Sequence, residues 1–357
     1  MALALQLAKK GQYTARPNPM VGCVIVKNGQ VVGQGWHENF GKAHAEINAI
    51  QQAGEHAKDA TCYVTLEPCS HVGQTGACAK ILCEAGISKV IAAMQDPNPQ
   101  VSGSGFQLLE NAGIEVSSGL LEQQARDLNR GFIARFEKNK PWVTVKLAMS
   151  LDGRTALADG SSKWITGAAA RLDVQKLRAR QDAIITGIGT LLADDPSLTV
   201  RGDGQQDWFS SLKNFKQPTR ILLDRKGQAS KKHKLFNKDA SCWWITSNEK
   251  IVESNQHTNI KVIRETKLEK LVNLCATKGM NNILIEAGHK LAGQFLKQNL
   301  VDEIIIYQAP KLMGNSAKGL FDLDVEKMSE CLSLTLKDIR QFGDDLRLIY
   351  YPKIVND

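Results

Sequence analysis

The amino-acid sequence predicts two consecutive α/β domains. Three observations lead to this fold class. The length of 357 residues suggests about two domains, strand-like and helix-like segments alternate along both halves, and a polar segment ending in proline separates the halves. That segment is FEKNKP at 136–141, where we place the boundary. The predicted domains are therefore residues 1–139 and 140–357.

The first half predicts a hairpin followed by alternating helices and strands. GCVIV and VVGQG flank KNGQ, in which Asn-Gly is a strong two-residue hairpin signal. Helices are predicted for HAEINAIQQA, beginning near His44, for GACAKILCEAG, closed by Gly86, for SGFQLLENAG and for LLEQQARDLNRGFIARF. TCYVTLE, SKVIAAMQ and IEVSSG are predicted strands. This order implies a central sheet with helices on both faces.

The second half restarts with the strand PWVTVKLAMS. The helix AAARLDVQKLRAR follows, then the strands DAIITG, TRILLD, CWWIT and NNILIEAG, the helix LAGQFLKQN, the strand DEIIIYQ and further strands near the C-terminus. This order again indicates an α/β domain.

Composition excludes several classes of protein. The chain is 43% hydrophobic and 23% charged, which is ordinary for a globular protein. MALALQLAKK favours an amphipathic helix over a signal peptide, because no basic segment precedes its short apolar run. No stretch approaches the roughly 18 apolar residues needed to cross a bilayer. We therefore expect a cytoplasmic protein without membrane association.

The net charge of +8 is unevenly distributed. Residues 1–140 carry 13 Lys/Arg and 12 Asp/Glu, a net charge of +1, so the remainder carries +7. Part of this excess lies in 211–240, where nine Lys/Arg accompany two Asp. A solvated surface is the simplest interpretation of that segment. A basic second half nevertheless suits anionic small molecules such as phosphorylated substrates or nucleotides.

The eight cysteines are expected to be reduced or to bind metal, since the chain shows no export signal. Cys23, Cys62, Cys83 and Cys242 lie in apolar runs and are interpreted as small buried hydrophobes. Cys69 differs, because it follows Glu-Pro at the end of a predicted strand.

A histidine, a glutamate and two cysteines form a candidate zinc site. His44 and Cys69 fall where strands end or helices start, and Cys78 lies in the first turn of a predicted helix, whose dipole favours a thiolate. Glu46 would be the general acid and base of such a site. Each feature also has a simpler interpretation: a cysteine pair or a histidine is commonly an ordinary residue of a folded core.

The arrangement resembles the zinc nucleoside and nucleobase deaminases, whose signature is H-x-E followed by P-C and a second cysteine. Eight residues separate the two cysteines here, and TLEPCSHVGQTGAC resembles the longer form found in the bifunctional riboflavin-biosynthesis deaminase–reductase family. TARPNPMVGCVIV, GWHENFGKAHAE, MQDPNPQVSGSG, KLAMSLDGRTALADGSSKWITG and LLADDPSLTVR also resemble stretches of that family. The resemblance covers nearly the whole chain.

For the first domain, the resemblance implies a three-layer α-β-α fold like that of zinc cytidine deaminases. It implies one Zn²⁺ per chain with Glu46 as the proton shuttle. The implied zinc ligands are His44, Cys69 and Cys78, and the implied substrate contacts are Asn18, His37, Ser70 and His71. One departure is Gln74, which stands where the family usually has Lys or Arg, a position associated with the substrate phosphate.

Glycines in the second domain cluster where strands meet helices, in IITGIGT and IEAGHKLAG. Glycine there lets a phosphate approach the backbone, although it also ends strands for steric reasons. The pattern does not match the G-x-G-x-x-G dinucleotide fingerprint. The resemblance implies instead a dihydrofolate-reductase-like α/β domain that uses NADPH.

The same resemblance implies a set of cofactor and substrate contacts in the second domain. The NADPH contacts would be Ala148, Trp164, Thr190, Asp194, Gly288, His289, Lys290, Leu291, Ala292, Gly293 and Gln294. The substrate contacts would be Ser162, Arg178, Arg201 and Glu286, where arginine forks suit a ribose phosphate. Lys146 and Asp152 are further polar candidates. Trp164 has the alternative of simple core packing, and His289 and Lys290 of pointing to solvent.

We therefore expect an enzyme that deaminates 2,5-diamino-6-ribosylamino-4(3H)-pyrimidinone 5′-phosphate and then reduces the ribosyl group to ribityl with NADPH. The expected partners are phosphorylated pyrimidine substrates and further copies of the chain in a homo-oligomer, without nucleic acid. A nucleic-acid deaminase would need a basic groove with aromatic stacking platforms, whereas the first domain is nearly neutral. A purely structural zinc site would usually have a fourth protein ligand.

Overall fold

The computed structural model describes residues 1–70, 77–202, 208–253, 259–265 and 267–353. The chain divides into two compact units, the first containing Met1–Asn139 and Leu212–Lys216, the second containing Lys140–Ser211 and Gln217–Asp357. Across the part of the chain that is described, no helix combines the length and apolar character that crossing a membrane requires.

The first unit contains a five-stranded sheet in the order β2-β1-β3-β4-β5. Its elements are α1 (Ala2–Ala8), β1 (Gly22–Lys27), β2 (Gln30–Trp36), α2 (Ala45–Ala53), β3 (Thr61–Val64), α3 (Cys78–Glu84), β4 (Lys89–Ala92), α4 (Ser104–Asn111), β5 (Glu115–Ser118), α5 (Glu122–Leu128) and α6 (Arg130–Lys138). β1 pairs antiparallel with β2 and β3, and β3, β4 and β5 are parallel. The hairpin, the strands and the helix beginning at His44 are as the sequence predicts.

Two glycines of β2 allow α2 to lie directly on the sheet. A Cβ atom at Gly33 would lie 2.2 Å from the Ala49 carbonyl oxygen, and one at Gly35 would lie 2.3 Å from that of Ala45. No side chain other than hydrogen fits at these distances. The close approach fixes the N-terminus of α2, and therefore His44 and Glu46, against the sheet.

The structure divides one predicted helix into two. The sequence predicts a single helix over LLEQQARDLNRGFIARF, but Asn129 leaves the helical conformation between α5 and α6, with φ −112° and ψ 26°. The Asn129 side chain accepts a hydrogen bond from the Met20 amide and donates one to the Met20 carbonyl, both at 2.8 Å. The helix break lets the Asn129 side chain pair with both backbone polar groups of Met20, as a neighbouring strand would.

The second unit contains a nine-stranded sheet in the order β11-β10-β9-β8-β12-β6-β13-β16-β15, and β14 pairs with β7 in a small separate sheet. Its strands are β6 (Trp142–Ser150), β7 (Arg154–Ala156), β8 (Ala183–Gly187), β9 (Thr219–Leu223), β10 (Cys242–Ile245), β11 (Ile260–Ile263), β12 (Asn282–Ile285), β13 (Glu303–Ala309), β14 (Lys318–Gly319), β15 (Leu334–Phe342) and β16 (Asp345–Pro352). Its helices are α7 (Ala168–Ala179), α8 (Ile188–Asp194), α9 (Glu249–Glu253), α10 (Leu268–Thr277) and α11 (His289–Lys297).

The strands from β11 to β13 are parallel, and β16 and β15 extend the sheet antiparallel. The parallel strands are buried on both faces, with a core that includes Val143, Ile185, Ile221, Ile283 and Ile304. In a sheet of this kind, ligands bind beyond the carboxyl ends of the strands. The sequence does not predict the helices α8 and α10 or the short strands β7 and β11.

Candidate active sites in the two units

Three side chains suited to a metal converge in the first unit. His44 is the N-cap of α2, Cys69 follows β3, and Cys78 is the first residue of α3. Their donor atoms all lie within 4.8 Å of one another. His44 Nδ1 lies 3.3 Å from Cys78 Sγ and 3.7 Å from Cys69 Sγ. Usual zinc bond lengths and a tetrahedral angle place such nitrogen and sulfur ligands about 3.5 Å apart, so this donor set fits zinc.

Hydrogen bonds favour a thiolate within this cluster. The Cys78 backbone amide donates to Cys69 Sγ at 3.4 Å. Hydrogen bonds from the Cys78 thiol, from His44 and from that amide lower the pKa of Cys69 to about 4, against the opposing effect of burial. A thiolate is the form of cysteine that ligates metal.

Glu46 lies one residue past Ala45 in the first turn of α2 and is 3% exposed. Burial raises the pKa of its carboxyl to about 7, and the negative charge at Cys69 adds to the effect. A carboxyl with a pKa near neutrality can both accept and donate a proton at physiological pH.

His37 and Asn18 lie next to the cluster formed by His44, Cys69 and Cys78. The His37 ring meets the His44 ring edge to face, with centroids 5.3 Å apart. Burial lowers the pKa of His37, which favours the neutral ring. Its Nδ1 lies 3.1 Å from the Ala43 carbonyl oxygen, which can only accept, so Nδ1 carries the proton. Its Nε2 then accepts from Asn18 Nδ2 at 3.1 Å.

Ser70 also lies beside the cluster, whereas His71 and Gln74 lie outside the described residues. Ser104 Oγ donates to the Val101 carbonyl, so the 2.6 Å contact between Ser70 Oγ and Ser104 Oγ has Ser70 as the donor. The roles expected for His71 and Gln74 therefore stay predictions.

Glu67 is a residue of this site that the sequence analysis missed. It is 3% exposed, and its carboxylate accepts hydrogen bonds from the amides of Gly103 at 3.0 Å, Gly105 at 2.9 Å and Asp96 at 3.1 Å. Glu67 thereby holds the loop before α4 against the segment that carries Cys69. The sequence feature that could have pointed to Glu67 is its position directly before Pro-Cys.

The second unit contains a cavity of about 1370 Å³ beyond the carboxyl ends of β9, β8, β12 and β6. Its wall includes most of the residues expected to bind substrate and cofactor: Ala148, Ser162, Trp164, Arg178, Thr190, Asp194, Arg201, Glu286, Gly288, His289, Lys290, Leu291 and Gln294, together with Lys146. The structure thus brings together side chains that are separated by up to about 150 positions in sequence.

A buried carboxylate and its counter-charges form the floor of this cavity. Arg178 donates through Nε and Nη2 to the two oxygens of Glu286, at 2.5 and 2.9 Å, and Lys146 Nζ lies 3.7 Å from Glu286 Oε2. Burial alone would raise the pKa of Glu286, but Arg178 and Lys146 outweigh burial and lower it to about 2. Glu286 is therefore a carboxylate at neutral pH.

Trp164 forms part of the wall and is not a core residue. Its side chain is 62% exposed, and the Arg171 guanidinium lies 4.7 Å above its ring. Lys311 Nζ donates to the Trp164 carbonyl at 2.7 Å, and Lys163 pairs with Asp194 at 3.3 Å. Arg171 and Lys163 line the cavity as well, although the sequence analysis did not select them.

Three residues that the sequence assigns to this site do not line the cavity. Ala292 is fully buried in the core, and a Cβ at Gly293 would lie 2.4 Å from the Asp322 carbonyl oxygen, so both belong to the packed face of α11. The Asp152 carboxylate accepts from the Met313 and Gly314 amides at 3.1 and 2.8 Å. Asp152 therefore stabilises a turn and is not among the residues that line the cavity.

The cavity fits a nicotinamide dinucleotide. Gly288 is the N-cap of α11, and a Cβ at Gly288 or Gly189 would meet nothing within 4 Å, so the backbone is open to a ligand there. Eight Lys or Arg side chains line the cavity against three Asp or Glu. This excess of positive charge suits a ligand with several phosphates.

Comparisons with known proteins match a different family in each half of the chain. Residues 141–348 match the RibD C-terminal domain family, and residues 1–94 match the cytidine and deoxycytidylate deaminase zinc-binding region. The riboflavin biosynthesis proteins RibD of Haemophilus influenzae and Escherichia coli are 47% and 46% identical to this chain. These alignments cover 99% and 98% of this chain and 96% and 97% of the respective relatives.

Solved structures are similar over the same length. Acinetobacter baumannii RibD (form 1) is 43% identical with a TM-score of 0.92. The diaminohydroxyphosphoribosylaminopyrimidine deaminase/5-amino-6-(5-phosphoribosylamino)uracil reductase of Thermotoga maritima is 33% identical with a TM-score of 0.88. Each covers 99% of this chain and 97% of the other.

Proposed function

Since this chain belongs to the RibD family, we propose that it acts in two steps on a phosphorylated diaminopyrimidine. The chain is a bifunctional deaminase and reductase of riboflavin biosynthesis, with a deaminase domain in the first unit and a reductase domain in the second. The proposed substrate is 2,5-diamino-6-ribosylamino-4(3H)-pyrimidinone 5′-phosphate, and the final product is 5-amino-6-ribitylamino-uracil 5′-phosphate. The observation that carries the proposal is the convergence of His44, Cys69 and Cys78 beside buried Glu46.

In the deaminase step, His44, Cys69 and Cys78 would hold one Zn²⁺, which when bound would supply the Lewis acid that makes water nucleophilic at neutral pH. Glu46 accepts the proton of the attacking water and delivers it to the leaving amino group, which its pKa of about 7 permits in both directions. Asn18 and His37, which already bond each other at 3.1 Å, orient the pyrimidine.

In the reductase step, the chain binds and orients the ring-opened sugar while NADPH, when bound, supplies a hydride to C1′. Arg178 makes its two-pronged contact with Glu286, and Arg201 donates to Ser197 Oγ at 3.2 Å. We therefore assign the ribose phosphate to Arg201 and a contact with the sugar hydroxyls to Glu286. Trp164, Thr190 and Asp194 contact the cofactor.

We also propose that the chain forms a homo-oligomer through β15 and β16, the outer two strands at one end of the second unit's sheet. Leu336, Ile339 and Leu346 on these strands are 47%, 54% and 36% exposed, and Met328 before them is 88% exposed. Exposed apolar side chains grouped on and beside the outer two strands of a sheet are typical of an interface. Light scattering should show an assembly that Ile339→Lys dissociates, and a monomeric wild-type protein would contradict the proposal.

The proposed function is tested by incubating the full chain with the diaminopyrimidine ribotide and identifying the products by mass. Without NADPH we expect the deaminated ribosyl compound, and with NADPH the ribityl compound. Unchanged substrate under both conditions, or reduction without deamination of this substrate, would contradict the proposed order.

A further inference from the structure

A strongly basic segment lies beside the reductase cavity and has no part in the function described above. Residues 225–234 read RKGQASKKHK, with five Lys or Arg, one His and no Asp or Glu. The side chains of its five cations are exposed, namely Arg225, Lys226, Lys231, Lys232 and Lys234. We call these ten residues the basic segment.

Both ends of the basic segment are fixed to the fold. At its start, fully buried Asp224 accepts hydrogen bonds from the amides of Gln228 and Ala229, each at 2.9 Å. At its end, Asp195 accepts from the Lys234 amide at 2.9 Å, and the next residue, Leu235, is fully buried. The positive charges are therefore held in place beside the sheet and are not carried on a free loop.

Lys234 brings the basic segment to the cavity wall. It lines the cavity together with Asp195 and with Leu223, the last residue of β9. Its ammonium lies 3.8 Å from Asp195 Oδ2, and the two side chains are 69% and 38% exposed. An exposed pair at this distance is weak, so the ammonium is available to a ligand with greater charge.

The β9 end of the cavity lies opposite the substrate-binding floor. Lys146 and Glu286 belong to β6 and to the end of β12, and the strand order β9-β8-β12-β6 separates β9 from β6 by three strand spacings. That separation is roughly 14 Å. A dinucleotide with its nicotinamide beside the substrate therefore extends its adenosine end along the strand ends toward β9.

We propose that Lys234, supported by the field of the basic segment, binds the 2′-phosphate of NADPH and is the residue that makes this reductase prefer NADPH to NADH. The inference rests on the proposed function, because it requires a dinucleotide in the cavity. The 2′-phosphate carries close to two negative charges, whereas NADH has a hydroxyl group there. A lysine at that position therefore strengthens the binding of NADPH and not that of NADH.

The test is equilibrium binding to the full chain, measured by calorimetry with NADPH, NADH, adenosine 2′,5′-bisphosphate and adenosine 5′-phosphate. Lys234→Ala should weaken NADPH and the bisphosphate by about tenfold, the effect of losing one charge-assisted hydrogen bond, and change NADH and the monophosphate by less than about twofold. Lys234→Arg should retain the preference. Raising the salt concentration should weaken NADPH binding more than NADH binding, because ions screen the basic segment.

Lys290→Ala is the matched control. Lys290 also lines the cavity but lies in the first turn of α11, so its loss should weaken NADPH and NADH by similar factors. The inference is overturned if Lys234→Ala leaves the NADPH preference intact or weakens both cofactors alike, and also if Lys290→Ala alone removes the preference. A wild-type protein that binds the two cofactors equally would overturn the NADPH proposal together with this one.

Discussion

Replacing Arg178 with alanine removes the main counter-charge of Glu286, a carboxylate that is 8% exposed. In the intact protein, Arg178 and Lys146 lower the pKa of Glu286 from 4.5 to about 2 in spite of burial. Since one unit of pKa difference corresponds to about 1.4 kcal/mol, this pairing contributes roughly 3 kcal/mol to stability at pH 7. Breaking a buried ion pair from one side typically costs about 3–5 kcal/mol, which agrees.

The cost should appear as a lower melting temperature of the reductase unit. For a unit of this size, 1 kcal/mol corresponds to about 2–4 °C, so Arg178→Ala should lower Tm by roughly 6–20 °C. Tryptophan fluorescence is a suitable signal, because five of the six tryptophans lie in the second unit. The matched control is Arg264→Ala, which removes an exposed pair with Glu249 and should cost at most about 1 kcal/mol.

The pH dependence gives a second check on the same variant. A carboxylate whose pKa is lowered by folding stabilises the protein above its unfolded pKa, and this stability is lost as pH falls from about 4.5 toward 2. The gap in Tm between wild type and Arg178→Ala should therefore be widest near pH 7 and narrow below about pH 4.5. A decrease in Tm no larger than that of Arg264→Ala, or a gap that does not depend on pH, would refute the reasoning.

Two further predictions concern the first unit. Cys78→Ala should lose bound zinc, measured by metal analysis of the purified protein, while Cys83→Ala on the same helix should retain it; full occupancy in Cys78→Ala would rule out this ligand set. Asn129→Ala should cost about 2–4 kcal/mol by leaving the partly buried backbone groups of Met20 without their Asn129 partner, and it should accelerate hydrogen exchange at the Met20 amide. The exposed Gln123→Ala is the control, and equal stability of the two variants would contradict the assigned role of Asn129.

The convergence of His44, Cys69 and Cys78 could be predicted from the sequence because its signals are local. His44 and Glu46 are two positions apart, and the fold then needs only a helix start and a strand end to bring the cysteines to them. The role of Glu67 was not predicted because its hydrogen-bond partners, backbone amides between residues 96 and 106, lie 29 to 39 positions away in sequence. A short motif carries no information about contacts of that range.

The run from Gly288 to Gln294, which the sequence resemblance assigns to cofactor binding, shows a second limit of prediction from sequence. The resemblance assigns every residue of this continuous range to the cofactor. An α-helix has 3.6 residues per turn, however, so only one of its faces can contact a ligand. Gly288 to Leu291 and Gln294 line the cavity, while Ala292 and Gly293 face the core. Similarly, the break at Asn129 depends on Met20, which is 109 positions away, so helical periodicity alone could not reveal it.

The central claim is that one chain contains two chemically independent sites, and Glu46→Gln tests it most directly. Glutamine keeps the shape of the side chain but cannot carry a proton, and proton transfer by a positioned group contributes about 10²–10⁴ in rate. Deamination by this variant should therefore fall by roughly that factor with zinc retained, while NADPH-dependent reduction of externally supplied deaminated intermediate should match wild type. Loss of that reduction in the folded variant, or deamination at the wild-type rate, would contradict the account.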